Sequence, residues 1–120
     1  MIDVDIDESA PSRIDAVIDT PLRVNVEFLL RRPDDERWTT FYASRVGEEV
    51  PNQAVRTILD ALPVGTQLLF TFVFSGARKT AFRLTVTFAQ GDAIVGEPIA
   101  LTGSTGDKMA AYREVEVRVA

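Results

Sequence analysis

The side chains able to do chemistry in this chain are mostly carboxylates. Asp3, Asp5 and Asp7 alternate with Val4 and Ile6, and Asp34, Asp35 and Glu36 share one polar stretch. Asp92 and Asp107 stand in two more polar segments. Carboxylates are hard oxygen ligands, so calcium is the first chemistry to weigh. A calcium loop curls around one ion and needs Gly at its sixth position and Glu at its twelfth. Counted from Asp3, those positions hold Glu8 and Ile14. Val4 and Ile6 instead set a strand rhythm, which spaces the three acids about 6.6 Å apart along one face. That is too spread to enclose an ion. The run reads as a solvated strand face, or as a surface for a basic partner.

Other chemistries lack their parts. Gly103-Ser104-Thr105-Gly106-Asp107-Lys108 has the residue types of a phosphate loop but not its spacing, and a strand pattern follows where a helix is needed. The chain has no His and no Cys. That removes the usual general base, the usual zinc ligand, thiol nucleophiles and disulfides. Ser–Lys chemistry would fall to Lys79 or Lys108, both in expected surface loops where an amine keeps its high pKa. A glycosidase pair needs a cleft holding carboxylates roughly 5–9 Å apart, which a small sandwich seldom offers. No catalytic residue, metal or cofactor is expected.

Trp38, Phe41 and Tyr42 form the one compact aromatic cluster. Strand parity puts Trp38 and Tyr42 on one face and Phe41 on the other. If exposed, the pair would stack on a sugar ring, making carbohydrate the alternative ligand. If buried, Trp38 is a large core plug.

The elements that must carry these residues are written in period-2 alternation. Leu22, Val24, Val26, Phe28 and Leu30 share a face, and Pro33–Glu36 turns the chain into a return strand over 38–46. Leu68, Phe70, Phe72 and Phe74 share another face, while Leu69 and Val73 make the opposite side of the same strand apolar as well. Phe82, Leu84, Val86 and Phe88 follow the same rule, as do Val115, Val117 and Val119. The strand over 93–102 carries Gly96 and Pro98, so it is expected at an edge or with a bulge. Over 52–62, Val55, Ile58, Leu59 and Leu62 fall on one helical stripe, with Asn52 as cap and Pro63 as stop, which favours a short helix or helical turn; the rival reading makes Ala54–Leu59 an irregular strand inside a long crossover.

Taken together the pattern predicts an all-β, antiparallel two-layer sandwich of immunoglobulin-like size, with seven to eight strands and one short helix. At 120 residues this is one domain, 1–120. The net charge of −5 sits wholly in residues 1–20, where six acids face Arg13 alone. That acidic segment is expected to form one or two edge strands and to serve as a docking element. The acidic balance argues against nucleic acid. Some sandwiches of this size, such as C2 domains, gather calcium between end loops to reach membranes, and a calcium-dependent membrane-binding sandwich is a further alternative. No signal peptide pattern or membrane-length apolar run is visible, so a cytoplasmic protein is expected, though a secreted fragment would look the same. Eleven Arg against two Lys point to a GC-rich, bacterial genome. The leading expectation is a non-catalytic protein-binding or self-associating module using Leu69 and Val73, with Asp3, Asp5 and Asp7 as the docking strand.

Overall fold

A computed structural model describes residues 1–46 and 53–120. Alternation becomes strand throughout: β1 (Ile2–Val4), β2 (Ser12–Asp19), β3 (Arg23–Arg31), β4 (Thr39–Val46), β5 (Gln53–Leu59), β6 (Gln67–Ser75), β7 (Ala81–Gln90), β8 (Ala93–Ser104) and β9 (Ala110–Val119). They form two sheets, ordered β1-β9-β6-β3-β4 and β5-β2-β7-β8. All pairings are antiparallel except that of β1 with β9. The inward rows of the two sheets close one core, with Phe28, Phe70, Phe72, Phe74, Ile14, Ile18 and Leu84 out of reach of solvent. Phe74 stacks on Phe82 across the layers with ring centroids 3.9 Å apart. Two sheets packed over one apolar interior is a sandwich-like arrangement.

The described residues form nine strands, not seven to eight, and the extra strand stands where a short helix was predicted. Of the 52–62 stretch, residues 53–59 form β5, paired with β2 from Ile18↔Gln53 to Ser12↔Leu59. The helical stripe was coincidental. Val55 and Leu59 face the core, whereas Ile58 points outward and is 70% exposed. Three β-branched residues in a row of five (Val55, Thr57, Ile58) favour a pleated strand, and the free edge of β2 supplies the ladder. Asn52 lies outside the described residues.

The N-terminal segment supplies one edge strand and one interior strand. β1 is an edge strand, but β2 lies inside its sheet between β5 and β7. β8 is both an edge strand and bulged. Its register on β7 shifts between Val86/Phe88, where Gly96 takes φ +70° beside Pro98. No helix among the described residues is long and apolar enough to cross a membrane.

Candidate functional site

On the outward face of the five-stranded sheet, strand pairing sets apolar and acidic side chains side by side. Leu29 lies opposite Leu69, which lies opposite Glu116. One row on, Glu27, Thr71 and Glu114 are aligned, and beyond them Asn25, Val73 and Tyr112. Leu29 and Leu69 are half-buried, Val73 is 37% exposed and Tyr112 is 50% exposed. The Tyr112 hydroxyl donates to Glu114 Oε2 at 2.9 Å. Partial burial raises the Tyr112 pKa, and the hydrogen bond to Glu114 with the charges of Glu114 and Glu27 raises it further. The phenol thus reports two carboxylates around an apolar surface. Leu69 and Val73 are brought together as the alternation implied. Leu29, Tyr112, Glu27 and Glu114 complete the surface, and they could be found only once the register of β3 and β9 on β6 was known.

The three N-terminal acids are not presented together. Asp3, on β1, receives two hydrogen bonds from Arg118 of β9, Nε to Oδ1 at 3.1 Å and Nη2 to Oδ2 at 3.3 Å. Asp5 is exposed. Asp7 has left the strand and caps a turn, accepting from the Ser9 N–H at 2.9 Å and the Ser9 hydroxyl at 2.6 Å. Those two bonds, hydroxyl first, hold its carboxyl below the usual range. Between them Val4 and Ile6 are buried in the core. The segment is thereby built into its own fold.

Trp38 and Tyr42 do not form one platform. Trp38 is half-buried just before β4, and the Arg31 guanidinium lies 4.9 Å from its ring centroid, held there by Gln67 Oε1. Tyr42 turns toward the core, its centroid 5.4 Å from Phe28. Phe41 does the same at 6.0 Å. Strict parity would have put Phe41 and Tyr42 on opposite faces. The β3–β4 register slips between Phe28 and Leu29, leaving Phe41 as an extra residue, and such a bulge re-aims its side chains.

One cation occupies an apolar position. Arg113 shares inward parity with Ala111, Val115 and Val117, and its guanidinium lies 5.4 Å from the Phe82 ring centroid. It donates from Nη1 to the Tyr112 carbonyl at 2.9 Å. Gly103 of β8 makes room: a Cβ there would stand 2.5 Å from Phe82 Cζ and 2.9 Å from Arg113 Nη2. The sequence signal for Arg113 was a charge in an alternation otherwise reserved for Val and Ala. Beside it, a concavity of about 510 Å³ opens over Phe82 and Gly103, with Asp19, Arg83 and Thr102 in one cross-strand row at its outer rim. Among the described residues no cluster of three metal-ligating side chains occurs.

Neither a family model nor a curated protein matches the sequence. Among solved structures, the crystal structure of a domain of unknown function, DUF4425, from Bacteroides vulgatus is similar over 96% of this chain and 100% of its own, with TM-score 0.60 and 8% identity. At that identity the likeness is one of fold alone: this chain shares its all-β architecture.

Proposed function

We propose that this protein is a non-catalytic interaction module that docks on other protein surfaces, including further copies of itself, through the exposed face of its five-stranded sheet. The observation supporting this reading is the apolar surface of Leu29, Leu69, Val73 and Tyr112 set among Glu27, Glu114 and Glu116. An apolar centre with a charged rim is the usual make-up of a protein interface. The carboxylates select a partner carrying Lys or Arg around its own apolar centre. The carbohydrate alternative has less support, because one face of Trp38 is covered by Arg31 and Tyr42 packs on Phe28.

Light scattering coupled to sizing tests the self-associating form. The expected result is a mass above that of the monomer as concentration rises to about 1 mM, the regime of weak association. The double variant Leu69→Glu, Val73→Glu is expected to return it to monomer while keeping its melting transition, since both side chains lie on the outward face of the sheet and outside the core. A wild-type chain that stays monomeric throughout would sink self-association through this face.

A further inference from the structure

We infer that the uncovered stretch of β9, Ala110–Glu116, is a strand-addition site for an extended peptide. Its preferred peptide presents a carboxylate to Arg113 and basic side chains to Glu114 and Glu116. This rests on the reading as an interaction module but names the strand edge that borders the sheet face, with Tyr112, Glu114 and Glu116 shared between them.

The backbone bonds at the two ends of the β6–β9 ladder set its phase. Gly76 N–H donates to Met109 O and Val119 N–H donates to Thr66 O. In the antiparallel β6–β9 register these are bonded pairs, and bonded pairs alternate. The odd-numbered residues of β9 therefore spend both backbone groups on β6. The even-numbered residues direct theirs to the other side. Ala120 N–H confirms the phase by donating to Val4 O on β1. β1, however, pairs only with Val117–Val119. Ala110, Tyr112 and Glu114 thus offer their amides and carbonyls to an edge that no strand among the described residues occupies. One of these carbonyls, that of Tyr112, is held by the Arg113 side chain.

Edges of this kind are normally blunted. The edge of β8 across the seam is blunted, by the Gly96–Pro98 bulge. Residues 110–116 contain no Pro and no bulge, and their ladder on β6 is regular. They span about 23 Å at the usual strand rise, room for a seven-residue partner in line with β1.

Side-chain chemistry says what that partner is. Inward, it meets Ala111, Arg113 and Val115; outward, Tyr112, Glu114 and Glu116. No carboxylate among the described residues pairs with Arg113, so one inward-facing acid between two apolar residues completes that row. Outward Lys or Arg answers the glutamates. A second copy of β9 fits poorly: the antiparallel two-fold pairing that uses all seven residues sets Arg113 against the partner copy's Arg113, with like charges opposed. Its neighbours would be Tyr112 on Glu114 and Ala110 on Glu116.

The probe is a fluorescein-labelled, end-blocked peptide, Lys-Val-Lys-Asp-Lys-Val-Lys, whose symmetry serves either strand direction. Two further versions carry N-methyl groups on alternate amides, so that one blocks the amides facing β9 and the other those facing solvent. Fluorescence anisotropy on the full chain is expected to show binding below about 1 mM. One N-methylated version is expected to bind at least tenfold more weakly and the other about as well as the parent. Arg113→Glu is expected to weaken the parent peptide tenfold and to bind the version with Lys in place of Asp better than wild type does. No binding by about 1 mM, or equal effects of the two methylation patterns, overturns the assignment. The backbone methylation and Arg113→Glu read the edge alone, whereas Leu69→Glu, Val73→Glu in the sizing experiment reads the sheet face. A peptide-independent dimer abolished by Arg113→Glu would assign the edge to a second copy instead and overturn the peptide proposal.

Discussion

Single side chains decide how tightly the end of the sandwich near Gly103 closes. Phe74, Phe82 and the Arg113 guanidinium form a continuous stack there, and Gly103 is the residue whose missing side chain admits it. Gly103→Ala places a methyl 2.5 Å from Phe82 Cζ, so the ring must shift out of its stack. The expected cost is about 1–3 kcal/mol, that of an overpacked core, read as a lower urea midpoint. Asp15 carries the other residue-scale expectation. Burial would raise its pKa, but hydrogen bonds from Arg56 (2.7 Å) and Arg13 (2.9 Å), with their charges, outweigh this and lower it. The unfolded chain therefore binds a proton more readily than the folded one. The contribution is full above the ordinary carboxylate pKa, about 4, and is lost as pH falls through the depressed folded value. Arg56 is largely solvated, so the amount is about 1 kcal/mol or less. Asp15→Asn is expected to lower stability at pH 7 and to reduce the acid-side loss of stability in pH-resolved urea melts.

At the scale of elements, the sequence was legible wherever one row of large apolar residues alternated over a long stretch. Val24–Leu30, Leu68–Phe74 and Phe82–Phe88 each show their buried row in the order of their residues. β5 was not legible, because the short stretch from Val55 through Ile58 and Leu59 to Leu62 satisfies a helical stripe and a strand about equally well. The decision belongs to the partner: β2 has a free edge, and pairing settles the period. The bulge at Phe41 was hidden for a similar reason, since one inserted residue changes register without changing composition. Of the candidate site, Leu69 and Val73 were legible from their strand alone. Tyr112 and Glu27 join them only through long-range register, which local pattern does not encode. The strand assignment of β5 has a direct consequence. Ile58→Thr is expected to change stability by no more than about 0.5 kcal/mol, as for surface substitutions. Leu59→Ala is expected to cost about 2 kcal/mol or more, as for a buried leucine. Chemical denaturation of the two variants measures both, and a large loss for Ile58→Thr would restore the helical assignment.

For the molecule as a whole, the division into an acidic N-terminal segment and a neutral body is true of the linear chain and is partly undone by folding. The body's arginines come back to the segment: Arg118 pairs with Asp3 and Arg56 with Asp15. Glu8 accepts from the Val64 N–H, and Gln90 bonds the backbone of Asp7 and Ala10. A segment tied at this many points, with Val4 and Ile6 in the core, acts as the cover of β9 before it acts as anything else. Its removal should therefore do two things at once. Deleting residues 1–6 strips two buried aliphatic side chains, a loss of about 3 kcal/mol or more, measured as a fall in the denaturation midpoint. It also lengthens the bare edge of β9 from seven residues to the whole strand, with no bulge or proline to blunt it. An unpaired edge of that length invites pairing between chains. The truncated protein is expected to self-associate more than the full chain, with scattering that grows with concentration and falls when the strand-addition peptide is added. A truncation that melts at the same midpoint and sizes as the parent would show β1 to be a dispensable tail, and would remove the physical reason for treating β9 as a half-covered edge.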